Sequence, residues 1–216
     1  PYAGACPGRN PQLRRARPHL IETLPTHSQR VDLRAVLDAA GALLPVAWSD
    51  GKREEVLGFI AGRLDGVLRE AGRPATVVKA VLAERAYDPT AATHAAEALA
   101  AATQAADWES LLDAYARCVR ITRPLPETFT LQPDTLQLPE ERALAEGLLA
   151  AEAAKDGSVE TFVASLRDLA PAIGRLFDAA LIMDDDPAVR ANRLALWQRV
   201  AGLARGVADL SGLEGF

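Results

Sequence analysis

The stretch Asp184-Asp185-Asp186-Pro187-Ala188-Val189-Arg190-Ala191-Asn192-Arg193-Leu194-Ala195-Leu196-Trp197-Gln198-Arg199-Val200 carries the sharpest structural signal in the chain. Asp186 suits an N-cap and Pro187 the first helical position, where its missing N–H costs nothing. The neighbouring carboxylates favour the positive end of the helix dipole. From there Val189, Leu196, Val200, Leu203, Val207 and Leu210 recur at spacings of three, four and seven, the period of one helical face. Upstream, Phe177, Leu181 and Ile182 continue an apolar stripe from a helix that starts behind Ser158 and is expected to break at Pro171.

Working outward, the same logic yields helices along the whole chain. One is expected over about residues 10–24, with Arg14, Arg15 and Arg17 as a basic run and Pro18 as a kink. Asp32 caps a helix whose stripe is Leu33, Val36, Leu37, Ala40 and Leu44, ending at Pro45. A long helix over about residues 52–71 turns Val56, Phe59, Ile60, Leu64, Val67 and Leu68 inward and closes at Gly72. Asp88-Pro89 and Asp107 open two more. Between Arg123 and Pro139 four prolines predict an extended loop, and Pro139-Glu140-Glu141 starts the next helix. No segment alternates with period two. The fold class is therefore all-α, with about nine helices in two packed helical sub-bundles.

Composition agrees. Alanine and leucine fill the apolar positions, aromatics are scarce, and both features favour helix over strand. The net charge of −5 excludes a generally basic polyanion binder, so any nucleic-acid contact must come from local arginine clusters. Only Lys52, Lys79 and Lys155 are lysines, and arginine supplies the remaining cations. Cys6 and Cys118 have neither metal nor redox spacing, which suits an intracellular, cytoplasmic chain with reduced thiols. No apolar run is long enough to span a membrane. The chain opens Pro1-Tyr2-Ala3-Gly4 with neither methionine nor signal peptide, as expected of a piece of a longer protein.

Catalytic constellations are absent: there is no Gly-rich phosphate loop, no paired histidines and no cysteine cluster. His19, His27 and His94 are far apart, and Asp184 to Asp186 read as a helix cap and not as a metal site. No catalytic and no metal-binding residue is therefore expected in this segment.

The run from Phe177 to Leu196 resembles the end of the glycyl-tRNA synthetase β subunit, where a phenylalanine–aspartate stretch and an acidic loop lead into Arg-x-Asn-Arg-Leu-Ala-Leu, here Arg190 to Leu196. That ending belongs to the DALR anticodon-binding class, shared with arginyl-tRNA synthetases. Val207-Ala208-Asp209-Leu210-Ser211 is similar to the family's tail. Weaker matches fall in the same order: Asn10 to Ala16, Phe59 to Leu64, Val78 to Ala83, and Tyr115 to Ile121. Gly62, Arg120 and Pro18 depart from the family pattern.

The resemblance implies a bacterial-type β subunit or an α–β fusion. About residues 1–48 would be the end of an HD-like linking body. Residues 49–216 would be a helical tRNA-binding region, with the DALR-type domain over about residues 105–216. It further implies that tRNA-Gly is a partner, together with the α subunit or fused α region and the remaining β-subunit domains. Catalysis with ATP and Mg would reside elsewhere in the full enzyme, with no cofactor in this segment and no membrane.

Arg117, Arg120 and Arg123 recur three apart and form a basic helix edge. Arg190 and Asn192 are candidate tRNA contacts, and Trp197, on the face shared with Arg190, is a candidate for base stacking or for the core. Arg193 lies near the core edge and is expected to form a structural ion pair with Asp178 or with an aspartate of the acidic loop. Arg14, Arg15 and Arg17 would contact either tRNA or the HD-like body. Two alternatives stay open: an arginyl-type anticodon-binding domain, and a helical subunit-assembly module that never touches RNA.

Overall fold

The computed structural model describes residues 31–45, 47–181 and 184–216, and among them there are eight α-helices, two 3-10 turns and no strand. They are α1 (Leu33–Gly41), α2 (Asp50–Glu70), α3 (Ala75–Arg85), α4 (Pro89–Ala102), α5 (Trp108–Thr122), α6 (Pro139–Ala154), α7 (Val159–Ala179) and α8 (Pro187–Gly202), with 3-10 turns at Pro133–Thr135 and Leu210–Gly212. The expected first helix, with Arg14, Arg15, Arg17, Pro18 and His19, lies outside the described residues, as do Cys6 and His27.

The helix starts follow capping chemistry. The side chains of Asp32, Asp88, Ser158 and Asp186 each accept a hydrogen bond from a first-turn amide, and proline occupies the first turn of α4, α6 and α8. Gly72 ends α2 at φ +81°, a left-handed conformation that glycine adopts without a Cβ penalty.

Several expectations are corrected. Helix α1 stops at Gly41 and not at Pro45, and the Trp48 ring fills the space that a Cβ on residue 41 would need. Val36 and Leu44 stay about half exposed. On α2 the buried face is Leu57, Leu64 and Leu68, while Phe59 points outward. Asp107 occupies the N-cap of α5 without capping it; its carboxylate instead takes Arg167 of α7 at 2.6 Å. Pro171 does not break α7. It sits on an exposed face, where water can replace the amide bond that proline denies to the preceding turn.

The two groups of helices share one apolar core, running without interruption from Leu64 to Leu213. The chain end stitches them together. Asp209 N donates to Ala80 O at 2.8 Å, Gly206 N donates to Glu84 Oε2 at 2.7 Å, and Arg85 Nε donates to Gly206 O at 3.0 Å. Helix α8 is central: six successive residues, Asn192 to Trp197, are buried, because α5, α6 and the 123–138 strap pack around it. Trp197 is fully buried and stacks on Phe177 at 4.3 Å and 11°. Its Nε1 has no acceptor among the described residues. A core indole keeps that orphan because its large apolar area outweighs one unmade hydrogen bond.

Arg193 holds the centre together. Its Nε donates to Glu141 Oε1 at 2.7 Å, and its Nη1 donates to Asp184 Oδ2 at 2.8 Å and Leu181 O at 2.6 Å. Glu141 Oε2 in turn accepts the amides of Gln137 and Leu138, closing the start of α6. One guanidinium thus ties the N-terminus of α6, the turn before α8, and α8 itself. The partner is not Asp178, which lies exposed on α7.

Removing one side of a buried pair leaves the other charge desolvated. Arg193→Ala is therefore expected to lower the unfolding free energy by about 3–5 kcal/mol, read by urea denaturation; a loss under about 1 kcal/mol would mean a solvated pair. The Asp186 amide, and after it Arg193, hold the Asp184 carboxyl below its ordinary pKa. A depressed folded pKa contributes stability above the unfolded value, lost as the pH falls through the folded one. Wild-type stability should therefore fall more steeply than that of Asp184→Asn below about pH 4. Denaturant midpoints taken across that range check this, and parallel curves would contradict it.

Candidate nucleic-acid interface

The C-terminal ends of α5, α6 and α8 converge on one open groove of about 610 Å³. Its basic lining is Arg123 at the C-cap of α5, Lys155 at the C-cap of α6, and Arg199 and Arg205 at the end of α8. Glu152 is the one carboxylate among the lining residues. Cations collect at such ends because unpaired carbonyls give each helix roughly half a negative charge there. Lys155 shows this directly, donating to Arg205 O at 2.9 Å and Gly202 O at 3.4 Å. Four cations exceed the sum of one carboxylate and three such half-charges, so the groove is locally positive on a chain of net charge −5.

The cations are not equivalent. Arg199 is engaged by Glu152, with Nε donating to Oε1 at 2.8 Å, a contact that raises the arginine pKa further. Arg123 and Arg205 are exposed and form no ion pair with any described carboxylate. They are the two guanidinium groups open to an incoming anion.

The groove's outer wall is the strap between α5 and α6, including Thr128 and Phe129. Two side-chain amides of α8 hold it by backbone pairing. Gln198 Oε1 accepts Phe129 N at 2.8 Å while its Nε2 donates to Glu127 O at 2.7 Å. Asn192 Oδ1 accepts Gln132 N at 2.7 Å, and its Nδ2 donates to Gln132 O and Thr135 Oγ1. Each amide offers the donor and acceptor that a neighbouring strand would supply.

These contacts sort the residues singled out from sequence. Arg117, Arg120 and Arg123 lie exposed along α5. Arg117 Cζ stands 3.8 Å over the Phe177 ring and Arg120 Cζ 5.7 Å over Phe216. Arg190 is half-buried and donates to Asp184 O at 2.8 Å, bracing the acidic turn. Asn192 is buried and engaged with the strap, and Trp197 is fully buried, so neither presents a surface to a ligand. Lys155, Arg199 and Arg205 were not singled out from sequence. The residues carried one helical stripe on to Leu210, which hid Arg199 and Arg205 inside it; α8 ends at Gly202, and only topology brings these cations to Lys155 and Arg123. Cys118 is buried beneath this surface, and burial pushes its thiol pKa up to about 12, so it stays protonated and unreactive.

Residues 111–214 match the DALR anticodon binding domain family. The chain is 33% identical over 213 residues to the glycine–tRNA ligase beta subunit of Anaeromyxobacter dehalogenans, covering 94% of this chain and 30% of that protein. It is 32% identical over 167 residues to the beta subunit from Levilactobacillus brevis, covering 76% of this chain and 24% of that one. It is 29% identical over 211 residues to the chloroplastic/mitochondrial glycine–tRNA ligase 2 of Arabidopsis thaliana, covering 94% of this chain and 20% of that protein. The chain thus spans between 20% and 30% of the length of these curated relatives. With the helical fold and both kinds of similarity in agreement, the chain belongs to the glycine–tRNA ligase β-subunit family and carries a DALR anticodon-binding domain.

Proposed function

We propose that this chain is the C-terminal, tRNA-gripping part of a glycyl-tRNA synthetase β subunit, and that it holds the anticodon arm of tRNA-Gly. The observation that carries the reading is the groove of Arg123, Lys155, Arg199 and Arg205, a local cationic surface on an acidic chain, within the span that matches the anticodon-binding family. Phosphate contacts of this kind fix the position of an RNA strand, and base contacts add discrimination. Arg117 and Arg120 extend the same edge along α5.

Residues 1–48 would be the end of an HD-like linking body and 49–216 the tRNA-binding region. Glycyl-adenylate formation and aminoacylation, with ATP and Mg, would belong to the α subunit or a fused α region, which this segment serves together with the other β-subunit domains in the cytoplasm. An assembly module without RNA contact could pair the same guanidinium groups with a partner's carboxylates; the match of residues 111–214 to the anticodon-binding family favours the RNA reading.

A phosphate contact releases counterions, so affinity falls with salt in proportion to the phosphates neutralised. An anticodon stem–loop of tRNA-Gly should bind this chain, and Arg123→Ala with Arg205→Ala should weaken binding and flatten the log–log salt slope by about 1.5. Filter binding over a salt series measures both. Absence of binding by the wild type, or an unchanged slope in the variant, would refute the groove as the RNA contact.

A further inference from the structure

The geometry points to Arg117 as a stacking platform for one unpaired base of the bound RNA, a role that rests on the tRNA reading above. Three planar groups are layered from the core outward. Trp197, fully buried, lies at the bottom; Phe177 is stacked on it at 4.3 Å and 11°; and the Arg117 Cζ stands 3.8 Å over the Phe177 ring. Ring and guanidinium cannot share one face of Phe177 at those distances, so Arg117 covers the face away from the indole. Arg117 is itself an exposed residue.

Three features separate this arginine from an ordinary surface cation. It forms no ion pair with any described carboxylate, so its charge is not already compensated. Its plane is backed by two aromatic rings that are themselves held by the core, so a ligand need not order a free side chain. It also lies on α5, whose C-cap is Arg123, six residues or about 9 Å farther along the axis and about 120° around it, so an RNA loop that engages both must wrap part of the way around that helix end. A delocalised, weakly hydrated guanidinium stacks well on π-faces, and unpaired bases of RNA loops are held in this way. Every base has a π-face, so the platform contributes affinity and fixes the splayed conformation without choosing the base.

The charge and the plane are separable by substitution. Binding of the tRNA-Gly anticodon stem–loop is measured for the wild type, Arg117→Ala, Arg117→Lys and the Arg123→Ala/Arg205→Ala variant, and again with stem–loops abasic at each loop position in turn. Near-UV circular dichroism monitors the Phe177–Trp197 stack. Loss of the platform should weaken binding about tenfold. Arg117→Lys should lose nearly as much as Arg117→Ala while keeping the wild-type salt slope. The penalty should vanish against one abasic position, whose base is the one stacked. Wild-type affinity in Arg117→Lys, or a penalty that persists against every abasic loop, would reduce Arg117 to a point charge and overturn the platform. If both Arg117 variants bind as wild type while the groove variant does not, the platform falls and the tRNA reading stands. If none of the variants changes binding, both fall.

Discussion

The Arg193 guanidinium, 6% exposed, lies between the carboxylates of Glu141 and Asp184, and the arrangement of the C-terminal helices depends on that contact. A charge at such depth is tolerated only when its partners are fixed and hydrogen-bonded. Here Glu141 is fixed by two backbone amides at the start of α6, and Asp184 by the amide of Asp186 in the turn before α8. The consequence is geometric. With α6 and α8 locked at one end, their other ends are brought to one place, where Lys155, Arg199 and Arg205 meet Arg123 from α5. The buried ion pair and the open basic groove are therefore opposite ends of one construction.

The same helix explains why polar residues of α8 divide as they do. Asn192 and Gln198 face the strap and hold its backbone, and Arg193 faces the acidic turn. Trp197 faces Phe177. A helix surrounded at six consecutive residues leaves little side chain for a ligand, so the proposed RNA contacts fall at its C-terminal end and on its neighbour α5. An acidic chain can then carry a cationic groove because the carbonyl ends of three helices recruit the basic residues locally, independent of the total charge.

The elements themselves were legible in the residues. Asp-Pro pairs at 88–89 and 186–187 open α4 and α8 where capping chemistry places them, and the stripe from Val189 to Leu210 is buried, although α8 itself ends at Gly202 and not beyond Val207 as the spacing suggested. What periodicity could not supply was the number of neighbours around each helix. A stripe gives one buried direction, yet α8 is enclosed on several sides, which put Asn192 in the interior and decided Trp197 for the core. The reverse holds for α1 and α2, where Val36 and Phe59 lie on apolar stripes but stay exposed. For Arg193 the residues suggested Asp178 or an aspartate of the acidic turn as the partner, and the structure gives it Asp184 of that turn and not Asp178. Glu141 was missed because it stands 52 residues away in sequence, at a helix start whose carboxylate was read as a dipole partner alone. The groove was illegible for a similar reason: its cations come from three separate helix ends.

Hydrogen exchange on this chain with and without the tRNA-Gly anticodon stem–loop tests most directly where RNA is held. The account predicts slowed exchange at the C-terminal turns of α5 and α8 and in the strap around Phe129, with α1 and α2 unaffected. Protection confined to α1 and α2, or none at RNA concentrations that saturate binding, would contradict it.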